Sequence, residues 1–157
     1  MEWRKKLRIG VIGGSQPDKE SRQNAFRVGQ LIAEKGGILV CGGLSGVMEA
    51  ASRGAKEAGG LTLGILPGNS ADDANIYVDI PIATGLGYSR NSLVAMNSDV
   101  IIAINGRYGT LTEIAYGCIY RKKIIGIGTW DIDNVIKVKS AEEAVEEAFK
   151  DSFRLTS

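Results

Sequence analysis

The chain has 157 residues, enough for one domain with a real core, and a formal net charge of +1, which gives no basic surface for nucleic acid or membrane. It contains no His, which excludes a Ser-His-Asp triad, His metal ligation and imidazole acid–base chemistry. The 21 glycines are about twice the usual share, and they cluster behind apolar runs, where a backbone can approach a ligand closely.

In chain order, residues 7–14 (LRIGVIGG) read as a buried strand and its turn. The basic lead-in Arg4-Lys5-Lys6 is followed by no small-residue cleavage site after a long apolar core, so a cytoplasmic protein is expected. Residues 19–35 carry Ala25, Val28, Leu31 and Ile32 at helical spacing, and Gly36-Gly37 stops that helix. Residues 38–43 (ILVCGG) form a second strand and turn. Residues 45–60 form a helix of small residues, and 61–68 a third strand ended by Pro67-Gly68. A polar loop over 69–75 leads to a short strand, 76–84, expected near a sheet edge because Pro81 cannot donate to a ladder. Residues 87–98 read as a helix, 99–105 as the most apolar strand, and 109–123 as a helix with basic residues in its last turn. A strand at 124–128 and a terminal helix at 140–153 complete the pattern. This alternation predicts an α/β fold: a single domain with a mainly parallel sheet and helices on both faces.

Ligands of such sheets lie beyond the carboxyl ends of the strands. Three Gly-bearing turns fall there: Gly13-Gly14-Ser15, Gly42-Gly43-Leu44-Ser45-Gly46 and Gly106-Arg107-Tyr108-Gly109-Thr110. In the last, Gly106 and Gly109 let a helix N-terminus approach an anion, and Thr110 adds a hydroxyl, as a phosphate cradle requires. Thr110 and Glu113 equally fit a capping box, as do Ser140 and Glu143 on a helix with no Gly-rich entrance, so that spacing alone leaves both readings open. The second turn lacks the Lys-Ser/Thr ending of a P-loop, and the first lacks G-x-G-x-x-G. The second strand ends in Val40-Cys41, with no acid for a ribose, which disfavours ordinary NAD binding. Arg90 offers a forked donor set suited to phosphate or carboxylate, and is otherwise a surface Arg. Glu49 and Arg53 sit one turn apart, as an i,i+4 pair would. Cys41 and Cys118 have no metal-like spacing, so no metal site is expected. Tyr88 and Tyr108 flank the turns and could stack on a base, whereas Trp3, Trp130 and Phe149 read as packing residues.

The Gly-Gly…Gly-Val-Met turn at 42–48, Arg90 and the G-x-x-G-T-x-x-E run at 106–113 resemble the Lonely Guy (LOG) family over nearly the whole chain. The pattern is also similar to the related molybdenum cofactor carrier proteins. The resemblance implies one Rossmann-like nucleotide-binding domain over 1–157, a homo-oligomer (dimer or tetramer), and cleavage of nucleoside 5′-monophosphates to free base and ribose 5-phosphate. Carried over by position, Glu113 and Arg90 are the catalytic residues. By the same carry-over Gly106, Gly109 and Thr110 would hold the ligand's phosphate, and Arg107, Tyr108 and the first two turns (Gly13, Gly14, Ser15, Gly42, Gly43, Gly46) are the remaining phosphate- or ligand-binding candidates. The chain departs from the family's P-G-G-x-G-T-x-x-E motif at Asn105 and Arg107, and from its Met-His-x-Arg-Lys segment at Gly87-Tyr88-Ser89-Arg90-Asn91. Glu49 would bring a negative charge near the phosphate unless it points away. Decarboxylation, an older label of the family, needs pyridoxal phosphate on a Lys. None of the three turns or the Arg90 segment holds one, so no such activity and no resident cofactor are expected.

Two functions follow as expectations. One is a phosphoribohydrolase whose oxocarbenium-like transition state a carboxylate stabilises. The other is a non-catalytic carrier or sensor of a phosphate-bearing cofactor. Both take a small nucleotide or phosphorylated ligand, with no nucleic acid and no membrane as partner.

Overall fold

Apolar runs become parallel strands in the computed structural model, which describes residues 2–150. The strands are β1 (Arg8–Gly13), β2 (Ile38–Cys41), β3 (Leu61–Leu66), β4 (Ile80–Ala83), β5 (Val100–Ile104), β6 (Lys123–Ile127) and β7 (Val135–Val138), in the spatial order β4-β3-β2-β1-β5-β6-β7. Every neighbouring pair is parallel. The chain therefore winds outward from β1 to one edge, returns to β5, and winds outward the other way. The reversal lies between β1 and β5, the position where open α/β sheets leave a crevice.

The connecting helices are α1 (Lys19–Glu34), α2 (Val47–Glu57), α3 (Asn91–Met96), α4 (Tyr108–Ile119) and α5 (Ala141–Phe149). Helices α1, α2 and α5 pack on one face, over Ile9, Val11, Leu39, Ile102 and Ile104. Helices α3 and α4 pack on the other, over Ile12, Val40, Ile65, Ile101 and Ala103. Strand β5 is buried along its full length, which is why its sequence is an unbroken apolar run and not an alternation. The small residues of α2 have a steric reason. A Cβ on Gly54 would collide with the Phe26 carbonyl, and one on Gly29 of α1 with the Ala51 carbonyl, so backbone meets backbone where the two helices touch.

Several expected bounds shift. Residues 87–98 are not one helix: a 3-10 turn at Gly87–Arg90 runs into the short α3. The strand expected at 76–84 shrinks to β4, which does lie at the edge. Helix α4 ends at Ile119 with no basic residue in its last turn, because Arg121 turns the chain at φ 58° and Lys123 already opens β6. Strand β7 is not anticipated: short, at an edge and largely exposed, it has no apolar run to announce it. The part of the terminal helix expected over 151–153 lies outside the described residues. Arg53 pairs with Glu57 at 3.1 Å and not with Glu49.

Candidate functional site at the strand-order reversal

A cavity of about 680 Å³ opens at the carboxyl ends of β1 and β5, where the strand order reverses. Its size lies within the range of small-molecule sites, about 300–1,000 Å³. The turn after β1 supplies Gly13, Gly14 and Ser15, and the turn after β5 supplies Gly106, Arg107, Tyr108, Gly109 and Thr110. Arg90 and Glu113 line the same cavity. The first and third Gly-bearing turns and both charged candidates thus meet in one place.

Of the second turn only Leu44 reaches the cavity wall, and its three glycines do not. They stand behind the wall and shape it. Gly42 lies under Arg90, where a Cβ would come within 2.6 Å of Nη2. Gly46, at φ 75°, crosses beneath the first turn, where a Cβ would meet the Gly14 carbonyl, and the next amide, Val47 N–H, donates to that carbonyl at 3.0 Å. Gly43 packs against Leu66 in the same way. From this segment only Leu44 and Met48 face the cavity, while Glu49 lines a separate hollow with Arg22, Phe26, Arg53 and Tyr77, away from it.

Helix α4 begins with Tyr108, three residues earlier than a Thr110 cap would place it. Thr110 is therefore inside the first turn and cannot be the N-cap, and no side chain caps this helix. The capping box is formed instead by Ser140, whose Oγ accepts from Glu143 N–H at 3.1 Å. In α4 the first amide to find a backbone acceptor is that of Leu111, on Arg107 O at 3.0 Å. The amides of Tyr108, Gly109 and Thr110 precede any intrahelical acceptor and point out of the helix start, with its partial positive charge, at residues that line the cavity. A Cβ on Gly109 would meet nothing closer than Asn91 Nδ2 at 4.0 Å, so Gly109 adjoins open space.

Glu113 is buried, lines the cavity, and has no hydrogen-bond or ion-pair partner among the described residues. Burial pushes its carboxyl up to about 8, against the pull of the Arg90 charge. Arg90 is also buried, but its donors are spent elsewhere. Nε donates to Ile65 O at 2.9 Å, Nη2 to Gly42 O at 3.2 Å, and Nη1 to Asn91 Oδ1. It pins the ends of β2 and β3 to the segment before α3.

Three residues to which sequence reasoning gave no role in the site stand in it or beside it. Asn91 joins Arg90 to α4. Asn105 takes φ 50° and donates its amide to Ile127 O at 3.0 Å, which sets the direction of the turn after β5. Trp130 donates Nε1–H to Arg107 O at 3.0 Å and lies 5.9 Å from the Tyr108 ring, so it packs behind two residues that line the cavity. Asp18, the N-cap of α1, also faces the cavity, ionised because the Ser21 amide donates to it.

The model of the SLOG cluster4 family matches residues 6–153. The chain belongs to this family. Among relatives of this SLOG cluster4 member, an uncharacterized protein of Archaeoglobus fulgidus is 42% identical over 151 residues, 96% of this chain and 99% of that one. A probable cytokinin riboside 5′-monophosphate phosphoribohydrolase of Oryza sativa subsp. japonica is 34% identical over 112 residues, 68% of this chain and 46% of that one. The chain thus spans about half the length of that phosphoribohydrolase. Among solved structures, the molybdenum cofactor binding protein of Rippkaea orientalis aligns with a TM-score of 0.86 at 40% identity, covering 90% of this chain and 94% of the other. The molybdenum cofactor carrier protein of Chlamydomonas reinhardtii aligns with a TM-score of 0.84 at 34% identity, covering 95% and 99%. The SLOG cluster4 chain is a LOG-like, Rossmann-fold protein related to the molybdenum cofactor carriers.

Trp130 offers a reporter for this site. The sequence holds two Trp, so Trp3→Phe leaves Trp130 as the sole indole. An anion bound at the α4 start would lie beside the Arg107 carbonyl that Trp130 holds, so a nucleotide that binds there, with AMP as the probe, is expected to change the fluorescence of that variant saturably. A flat signal where calorimetry detects binding would place the ligand elsewhere.

Proposed function

We propose that the cavity binds a small molecule through its phosphate group, and that the protein is a carrier of a phosphate-bearing pterin cofactor of the molybdenum cofactor kind. The observation that carries this reading is the set of three unengaged first-turn amides of α4 beside a glycine that leaves space for an anion. The match to the two molybdenum cofactor proteins along nearly their full length supports a pterin cargo. Arg90 fits this reading as a strut, because three of its donor groups already serve the protein. In it, Gly13, Gly14, Ser15, Gly106, Arg107, Tyr108, Gly109 and Thr110 surround the phosphate, and Gly42, Gly43 and Gly46 act from behind.

One observation favours a second reading, a nucleoside 5′-monophosphate phosphoribohydrolase. Glu113 is a buried carboxyl within the cavity wall, protonated up to about pH 8 and so suited to act as general acid toward a departing base. A panel of nucleoside monophosphates and isolated molybdopterin separates the two. Tight binding of the pterin with no base released supports the carrier. Base release that vanishes in Glu113→Ala, with binding retained, supports the enzyme. Binding of neither class by the folded protein rejects both.

A homo-oligomer and a cytoplasmic location belong to the same proposal. Edge strand β4 exposes Ile80 and Ile82, an apolar edge that a second copy would cover, and light scattering reads the mass directly. No helix among the described residues is long and apolar enough to cross a membrane.

A further inference from the structure

A buried Arg beside a buried Glu ordinarily closes into an ion pair, because each charge is costly without a partner. Here they do not close. Arg90 and Glu113 line one cavity and feel each other's charge, yet no ion pair within 4.0 Å joins them. The guanidinium is turned to Ile65 O, Gly42 O and the side chain of Asn91. Two of those acceptors are backbone carbonyls fixed by the sheet and the turn after β2. Asn91 is the only side chain among them.

Asn91 is itself held in place. It is 2% exposed, and its Nδ2 donates to Thr112 Oγ1 at 3.0 Å and to Gly109 O at 3.4 Å. Thr112 Oγ1 in turn donates to Gly109 O at 2.6 Å. One amide side chain therefore grips the guanidinium with its oxygen and the first turns of α4 with its nitrogen. That fixes which end of the amide faces Arg90: its acceptor is offered to a cation, and its donor to a carbonyl and a hydroxyl.

We propose that Asn91 is a positioning residue that holds Arg90 away from Glu113, so that the Glu113 carboxyl stays unpaired and available to whatever enters the cavity. With Asn91 removed, Nη1 loses its acceptor and Glu113 is the uncompensated acceptor in the same cavity wall. Arg90 then turns to it. The consequence for ligand binding rests on the reading given under Proposed function. The geometric claim does not, and it is tested without ligand.

The test follows the side-chain carboxyl of Glu113 by carbon-13 NMR titration, assigned by its disappearance in Glu113→Gln. The charged and titratable groups around it are Arg90 before α3, Cys41 at the end of β2, and across the cavity Asp18, Tyr88, Arg107 and Tyr108. Of these groups Arg90 alone shares a hydrogen bond with Asn91, which makes it the charge that a change at Asn91 releases. In Asn91→Leu the titration midpoint is expected to fall by about one to three pH units, the effect of a cation brought into contact. Thr112→Val, an exposed change that loosens only the nitrogen end, is expected to move it the same way by less. A midpoint unmoved in Asn91→Leu overturns the proposal. Should that variant not fold, an unmoved midpoint in Thr112→Val does so. A lowered midpoint in a wild-type-like fold, together with no binding of AMP or molybdopterin by wild type, would keep this proposal and reject the functional one.

Discussion

Glu113→Gln is expected to stabilise the protein, and by more as the pH rises. The folded-state carboxyl titrates at about 8, against 4.5 for an unhindered Glu. Below the lower value both states are protonated and the residue contributes nothing. Between the two, the unfolded chain ionises while the folded one keeps its proton. The native state then binds more protons and stability falls with rising pH. Above the upper value the loss levels off. Each pH unit of that window weighs about 1.4 kcal/mol, so the full penalty is on the order of 4–5 kcal/mol. Gln fills the same space, carries no charge and escapes the penalty. Denaturant melts of wild type and variant are therefore expected to coincide near pH 4.5, to differ by roughly 3 kcal/mol at pH 7, and to differ most at pH 9. The comparison cancels the other carboxylates, which both proteins share. An equal difference at all three pH values would mean that the carboxylate is ionised and compensated inside the fold. Ligand binding carries the same signature. Affinity for a phosphate dianion is expected to fall in wild type as Glu113 ionises above about pH 8, and to hold in the variant.

Gly109→Val is expected to leave the fold intact and empty the site. A Cβ at this position meets no protein atom closer than 4.0 Å, so the valine's added carbons project toward the cavity that Gly109 lines. Within α4 the exchange is close to neutral, since Val and Gly differ by only about 0.5 kcal/mol in helix preference. An anion at the helix start accepts charge-assisted bonds worth about 1.5–3 kcal/mol each. Losing two of them weakens binding by about 100-fold or more. Calorimetry with AMP and with molybdopterin, beside a thermal melt, reads both halves. Unchanged affinity in a folded variant would remove the α4 start from the binding surface. Gly46→Val is the contrasting case. Its Cβ would strike the backbone of the first turn, so it harms the fold itself and is no test of the site.

The strands and the turns that line the cavity were legible because each signal is local. An apolar run followed by glycine marks a strand end, and five strands packed between two helical layers leave little else for those residues to do. Arg90 and Glu113 were legible only through the spacing of a family motif, and the sequence could not tell which way either side chain turned. What stayed hidden depends on pairs distant in sequence. Asn91 earns its place through Gly109 and Thr112, Trp130 through Arg107, and Arg90 through Gly42 and Ile65. The two Ser/Thr-x-x-Glu patterns were indistinguishable until the start of α4 was known. At α5 the Ser is the cap, and at α4 the Thr is already in the helix. At the turn after β2 the same signal has a second source: glycine is demanded equally by a ligand and by a close neighbour, and Arg90, Leu66 and the first turn crowd Gly42, Gly43 and Gly46.

The conformation of Asn105 bears on how this corner could be interconverted with the proline-led version of the LOG motif. Its φ of 50° and its donated amide are both closed to proline, whose ring fixes φ near −65° and removes the N–H. Asn105→Pro would pull the peptide off Ile127 and swing Gly106 and Arg107 with it. Engineers who wish to graft the hydrolases' loop onto this scaffold must therefore replace the segment from the end of β5 into α4 as a block, together with the Thr129 hydroxyl that braces it from the far side.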